Sequence, residues 1–239
     1  WSTPLDRMLQ FPAQSFVSFF ANHRLVHMDR PVWRTVSGGS RTYVEVLTAP
    51  FRNRIRTGTG VRRVERRDGA HWVTDSTGTT ERFDRVIIAA HTDETLAMLA
   101  DATPAEREIL GAIRYRPNEA VLHRDPSLMP KRRSAWASWN VLTYPSQPET
   151  QADVCVTYWM NALQGIPDST PLFVTLNPPR EPDPNLVFRR FTYDHPQYDQ
   201  AAIAAQKRLG EIQGRQGTWF CGAWTGYGFH EDGRVSGLA

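Results

Sequence analysis

The hydrophobic pattern divides the chain into stretches of different period. Over residues 2–26 apolar positions recur at helical spacing, and Phe16, Val17, Phe19 and Phe20 form a bulky stripe. Core packing is its expected role, with a lid over an apolar substrate as the alternative. Residues 31–36 predict a strand, Gly38-Gly39 a tight turn, and residues 41–49 a helix stopped by Pro50. Residues 61–66 alternate as a strand does, Asp68-Gly69 is a hairpin signal, and residues 70–75 form the returning strand. A second turn at Thr77-Gly78 leads to a third strand over 80–83. Residues 84–90 then end in a continuous apolar run, the pattern of a buried parallel strand.

The second half is patterned differently. Residues 92–99 predict a helix with His91 in the loop before it. Thr103-Pro104-Ala105-Glu106 carries a capping box with proline in the first turn, starting a helix to about 113. Strands are expected over 118–123, 135–142, 153–160, 172–176 and 186–193, separated by stretches rich in Pro, Ser, Asp and Gly. Pro196 ends that run, and Asp199 caps a helix to about 209. This succession predicts an antiparallel sheet. The chain closes on a short strand over 219–223, a loop with glycines at 226, 228 and 233, and a helix expected to begin near Ser236. Glycine-rich backbone between a strand and a helix N-terminus gathers main-chain amides and favours an anion such as a phosphate.

Composition narrows the class. In 239 residues, 40% are hydrophobic and 22% charged, which describes a soluble globular protein with material for one large or two small domains. No stretch approaches the roughly 20 apolar residues of a membrane span and no signal peptide is visible. Cys155 and Cys221 lie in apolar runs, which predicts buried thiols and a reducing, cytoplasmic setting. The basic clusters at 62–63, 66–67 and 131–133 sit in turn-like contexts, where a solvated edge explains them better than a nucleic-acid surface. No triad, zinc-ligand spacing or phosphate-binding lysine loop is present, so no metal is expected and no catalytic residue is assigned. That absence suits cofactor chemistry, in which the protein mainly positions reactants.

Phe-Cys-Gly-Ala-Trp-x-Gly-Tyr-Gly-Phe-His-Glu-Asp-Gly-x-x-Ser-Gly, from Phe220 to Gly237, resembles the C-terminal flavin segment of the flavin-containing amine oxidase superfamily. The bacterial NAD/FAD-binding branch associated with cyclopropane-fatty-acid synthases is the most similar. The resemblance implies FAD, held by Gly222, Ala223, Phe229, His230, Glu231, Asp232, Gly233 and Ser236, with the backbone of Val61 meeting the adenine. Gly233, with Asp232, is expected to shape the loop through a backbone conformation that a β-carbon penalises.

The chain departs from the family in three ways. It lacks the Gly-x-Gly-x-x-Gly unit that holds the ADP half; neither Lys131 nor Lys207 matches the lysine found near the flavin; and Ala223 replaces an acidic residue. It therefore reads as a fragment of a longer protein, inactive by itself.

The expected fold is mixed α/β and α+β, a partial Rossmann-like FAD domain with an antiparallel substrate domain. Residues 1–30 are assigned to a helical part of the substrate domain and 31–100 to the middle of the FAD domain. Residues 101–213 form the rest of the substrate domain and 214–239 the C-terminal FAD segment. The function implied is hydride transfer from a small-molecule substrate, lipid-like or amine, to FAD, and peripheral membrane contact stays open. Trp136, Trp139, Tyr158 and Trp159 are the candidate pocket walls. Alternating strand positions put Trp136 and Trp139 on different faces, and likewise Tyr158 and Trp159. The alternative is a non-catalytic module binding a lipid or a partner on the same fold.

Overall fold

A computed structural model describes residues 9, 11–26, 28, 29, 32, 34–142 and 155–239. In chain order these form helices α1 (Ala13–Asn22) and α2 (Ser40–Thr48), then strands β1 (Val61–Arg67), β2 (Ala70–Asp75), β3 (Thr80–Phe83) and β4 (Val86–Ile88). Helices α3 (Thr92–Met98) and α4 (Pro104–Gly111) follow, then strands β5 (Arg114–His123), β6 (Trp139–Leu142) and β7 (Cys155–Trp159). Helix α5 (Met160–Gln164), strands β8 (Phe173–Leu176) and β9 (Val187–Gln197), helix α6 (Gln200–Lys207), strand β10 (Thr218–Phe220) and helix α7 (His230–Leu238) complete the order. The chain divides into two units, Trp1–Arg52 with Arg116–His195, and Asn53–Tyr115 with Pro196–Ala239.

The second unit contains the hairpins. Asp68 and Gly69 take φ of 55° and 70°, the two left-handed residues of a type I′ turn, whose twist matches the strands it joins. Strands β1, β2 and β3 form one antiparallel sheet in that order. Val64 of β1 and the run after Asp84 then diverge in fate. Val64 is buried at 1% exposure, whereas Ile87 of β4 is 69% exposed. Strand β4 does pair in parallel, with β10, through Val86–Thr218, Ile87–Trp219 and Ile88–Phe220. Burial on both faces, expected of a parallel strand, is met only by Ile88: among the described residues this sheet has two strands.

Helix α4 starts as its sequence requires. Thr103 Oγ1 accepts from Glu106 N at 3.2 Å, and Glu106 Oε2 accepts from Thr103 N at 2.7 Å. Its buried Ile109 and Leu110 join Val64, Ile88, Leu99, Ile113, Ile212, Phe220 and Trp224 in the core of this unit. Arg66, with only 6% of its side chain exposed, crosses from β1 to bond Glu106 at 2.6 and 2.9 Å and Asp101 at 3.0 Å.

The other unit is built on an antiparallel sheet in the order β6-β7-β8-β5-β9. Its interior is polar as well as apolar. His123 Nε2 meets Thr175 Oγ1 at 2.7 Å, and Thr175 meets Thr157 at 2.9 Å, all three fully buried. Burial pushes the His123 imidazole below its ordinary range, so the ring stays neutral inside this ladder.

Several expected boundaries move. Of the strand expected over 31–36, residues 31 and 33 lie outside the described residues, and 34–36 form no strand. Residues 2–8 and 10 of the first helix, and 153–154 of a later strand, are likewise outside. Helix α1 leaves Phe16 and Val17 exposed and buries only Ser15, so its stripe is not core within the described residues. Residues 133–135 turn as a 3-10 helix, which shortens the strand expected from 135. Strand β9 runs through Pro196, because a proline is tolerated near the end of an edge strand. The last helix begins at His230 rather than near Ser236, since Asp232 organises the turn before it. Among the described residues no helix is long and apolar enough to cross a membrane.

Candidate functional site

Because β4 and β10 are parallel, their carboxyl ends open on the same side, where open α/β sheets take up ligands. Cys221 N extends the ladder by one bond to Ile88 O at 3.0 Å. The chain then turns at Gly222, whose φ is 150°, and a β-carbon there would lie 2.7 Å from Trp224 Nε1. Trp224 is buried at 3% exposure and donates from that nitrogen to Ala90 O at 3.1 Å, tying the loop to the segment after β4. From helix α6, Gln206 Nε2 donates to Trp224 O at 2.8 Å and to Gly226 O at 2.7 Å. Gln206 carries no motif, and Trp224, though inside the motif from Phe220 to Gly237, is not among the expected site residues.

Asp232 is the hub of the loop. Its Oδ2 accepts from Tyr227 N at 3.0 Å and Phe229 N at 2.9 Å. The second bond is half of a capping box, and Phe229 has no side-chain acceptor to supply the other half. Gly226 must remain glycine, since a β-carbon would stand 2.5 Å from the Asp232 carboxyl. Gly228, at φ 87°, faces Tyr198, whose hydroxyl would be 2.7 Å from a β-carbon at that position. Gly233 differs from the expectation placed on it. It lies inside α7 with no left-handed φ, and the nearest atom to an added β-carbon is Ala223 N at 3.6 Å. The demand for glycine falls elsewhere, on backbone conformation at 222 and 228 and on space at 226.

Ser236 also departs from its expected place. It sits within α7, where its Oγ accepts from Gly222 N at 3.2 Å, and does not begin a helix. The true N-terminal turn carries Glu231 and Asp232. Glu231 pairs with Arg234 at 2.6 Å, which holds its carboxyl below the usual range. Two carboxylates at the helix start already complement its dipole, so hydroxyl-bearing groups suit this turn better than a bare phosphate. Phe229, His230 and Glu231 are exposed, while Gly222, Ala223, Asp232, Gly233 and Ser236 are half-buried.

A groove of about 320 Å³ lies beside the β10 end of the loop, with Ile87, Trp219, Cys221, Ser236 and Leu238 among its walls. Burial raises the Cys221 thiol above its ordinary range, so it is not a ready nucleophile. Val61, 41% exposed, lines a different groove of about 300 Å³ with Arg56, Asp75 and Glu81. The structure thus gathers the residues from 222 to 236 and leaves Val61 apart from their groove. Tyr198 is 2% exposed, and among the described residues its hydroxyl has no hydrogen-bond partner. Tyr198→Phe is therefore expected to leave stability unchanged or raise it by about 1 kcal/mol, measured by urea unfolding. A loss of that size would show that the hydroxyl is paired in solution.

In the other unit the aromatic candidates separate into two groups. Trp136 meets Trp159 edge-on with centroids 5.4 Å apart and also meets Phe173 at 5.6 Å. Trp139 meets Tyr158 at 6.3 Å, and Trp139 is 54% exposed.

Residues 8–122 match the family model of the flavin containing amine oxidoreductases. No curated protein matches the chain in sequence. Among solved structures the chain is similar to the CLA-producing fatty acid isomerase from P. acnes, at TM-score 0.60 and 15% identity, over 83% of this chain and 50% of that one. It is also similar to reduced UDP-galactopyranose mutase, at TM-score 0.49 and 13% identity, over 77% and 48% of the two chains. The chain thus spans about half the length of these relatives. Its helices and antiparallel sheets share the mixed fold of that isomerase, and the family matched over residues 8–122 is described as flavin containing.

Proposed function

We propose that this chain is part of an FAD-dependent oxidoreductase and that the loop from Gly222 to Ser236 holds the flavin. One observation carries the reading: at the carboxyl ends of two parallel strands, the loop is drawn so tight that β-carbons at 222, 226 and 228 have no room. Packed this closely on Trp224, Asp232 and Tyr198, the loop is held in one shape, as a binding loop requires. The residues fit a flavin with one adjustment. Glu231 and Asp232 at the start of α7 favour hydrogen-bond donors, so the ribityl hydroxyls are the better match there. When bound, the flavin supplies a two-electron acceptor for hydride. The chain's own residues bind and orient: Asp232 and Gln206 fix the loop, Ser236 holds Gly222, and Ile87 and Trp219 give the groove apolar walls.

In this reading Asn53–Tyr115 with Pro196–Ala239 is the flavin unit and Arg116–His195 contributes the substrate sheet. The substrate class is a lipid-like or otherwise apolar molecule, or an amine, in a reducing cytoplasmic setting. The fatty acid named for the isomerase of similar fold supports the apolar choice. Catalysis belongs to the whole enzyme, of which this chain is one part. The test is the visible spectrum of the purified full-length protein before and after incubation with FAD, with this 239-residue chain alone expected to stay colourless. A flavin spectrum that survives desalting is expected of the full-length protein. A full-length protein that stays colourless after reconstitution overturns the proposal.

A further inference from the structure

Three surfaces in one corner of the antiparallel unit converge on a single side chain. The Arg133 guanidinium lies 3.9 Å from the ring centroid of Trp136 and 4.2 Å from that of Trp159. Its NH2 reaches Asp168 Oδ2 at 2.8 Å. The two indoles stand at 85° to one another, so the cation occupies the notch between two ring faces with a carboxylate on the third side. This is the arrangement that recognises organic cations. A cavity of about 310 Å³ adjoins it, and Asp168 is the one carboxylate among its lining residues.

The walls are fixed and the occupant is not. Trp136 donates from Nε1 to Pro130 O at 2.8 Å and packs on the fully buried Phe173. Trp159 belongs to β7, pairs with Phe173 of β8, and donates its main-chain N–H to Ser138 O at 2.9 Å. The turn that carries Asp168 is pinned by buried Asn161, whose Nδ2 donates to Pro167 O and Thr170 O, both at 2.9 Å, while its Oδ1 accepts from Leu172 N at 2.8 Å. Arg133, by contrast, comes from a short 3-10 turn with 50% of its side chain exposed, and its ion pair with Asp168 (67% exposed) is solvated. Exposed ion pairs of this kind hold weakly. A preorganised box around a loosely held cation allows exchange.

We propose that Trp136, Trp159 and Asp168 form a binding site for a small organic cation, with a quaternary ammonium or guanidinium group, and that Arg133 fills it as a tethered competitor. The site lies within one unit and does not depend on the flavin reading. Arg133 swings out, the incoming cation takes its place between the rings, and Asp168 neutralises it. No covalent step is involved.

The probe is tetramethylammonium chloride, with potassium chloride at equal ionic strength as the control. Binding is followed through the indole N–H resonances of Trp136 and Trp159 in the whole protein. Arg133→Ala should bind tetramethylammonium at least tenfold more tightly than the parent, and Arg133→Gln should behave like it. Adding Asp168→Asn to Arg133→Ala should weaken binding several-fold. If dispersed indole resonances in both Arg133 variants respond no more to tetramethylammonium than to potassium, the box is only a clamp and the proposal is overturned. If both variants lose resonance dispersion, Arg133 is a structural pillar, not an exchangeable occupant, and the proposal is overturned equally.

Discussion

Replacing Arg66 by alanine is expected to destabilise the protein by about 3–5 kcal/mol, because it strands the buried carboxylate of Glu106. Glu106 is 1% exposed and takes two bonds from Arg66, at 2.6 and 2.9 Å. Burial alone would raise its pKa, but the Arg66 and Thr103 hydrogen bonds overcome burial and hold it below the ordinary value of 4.5. The sign follows from linkage: a carboxyl with a depressed folded pKa adds stability above its unfolded pKa, and that stability is lost as pH falls through the folded value. In Arg66→Ala the two guanidinium donors are gone, Thr103 N is the remaining one, and burial outweighs it, so the Glu106 pKa moves up. The gap between parent and variant should therefore be widest near neutral pH and narrow as pH approaches 4.5. Glu106→Gln in the Arg66→Ala background keeps an acceptor for Thr103 N and should restore part of the loss. Urea unfolding from pH 4 to 7 measures all of this. A gap under about 1 kcal/mol, or one that ignores pH, would contradict the account.

Gly226→Val should cost about 3 kcal/mol and abolish FAD binding, while Gly233→Ala should preserve both properties. The valine β-carbon would stand 2.5 Å from the Asp232 carboxyl group. Forcing that group aside breaks its bonds to Tyr227 N and Phe229 N, so an overpacking penalty adds to the loss of charge-assisted hydrogen bonds. Gly233 lies in α7 with 3.6 Å of clearance, and alanine there should raise helix stability by about 0.5–1 kcal/mol. Paired unfolding and FAD titrations separate the effects. Were the two variants to lose flavin affinity equally, the loop would not be organised around Gly226 and Asp232. Were Gly226→Val to keep affinity while losing stability, the loop would serve folding alone.

Local chemistry made much of this protein legible from its residues. Asp68-Gly69 dictates its own turn, because both positions need left-handed backbone and glycine and aspartate tolerate it. Thr103-Pro104-Ala105-Glu106 dictates a helix start, since each side chain satisfies an amide three residues away. The alternation over 61–83 dictates a meander, as period-two patterning allows little else. The glycine loop was visible too, as a dense cluster of Gly with aromatic and acidic residues.

What tertiary structure decided was which residues that loop depends on. Gly226 and Gly233 are indistinguishable in sequence; a contact with Asp232 makes the first irreplaceable, and a helical backbone frees the second. The start of helix α7 at His230 and not at Ser236 is the exception, since it rests on a local bond in which Asp232 accepts from Phe229 N three residues back. Gln206 enters the site from a helix some twenty residues away, through carbonyls that no local pattern marks. Arg66 with Glu106, and Arg133 with Trp159, are likewise pairings made across the fold. Short-range hydrogen bonds and turn conformations are written residue by residue, whereas long-range contacts arise only when separate elements pack, and one sequence alone carries no record of that meeting.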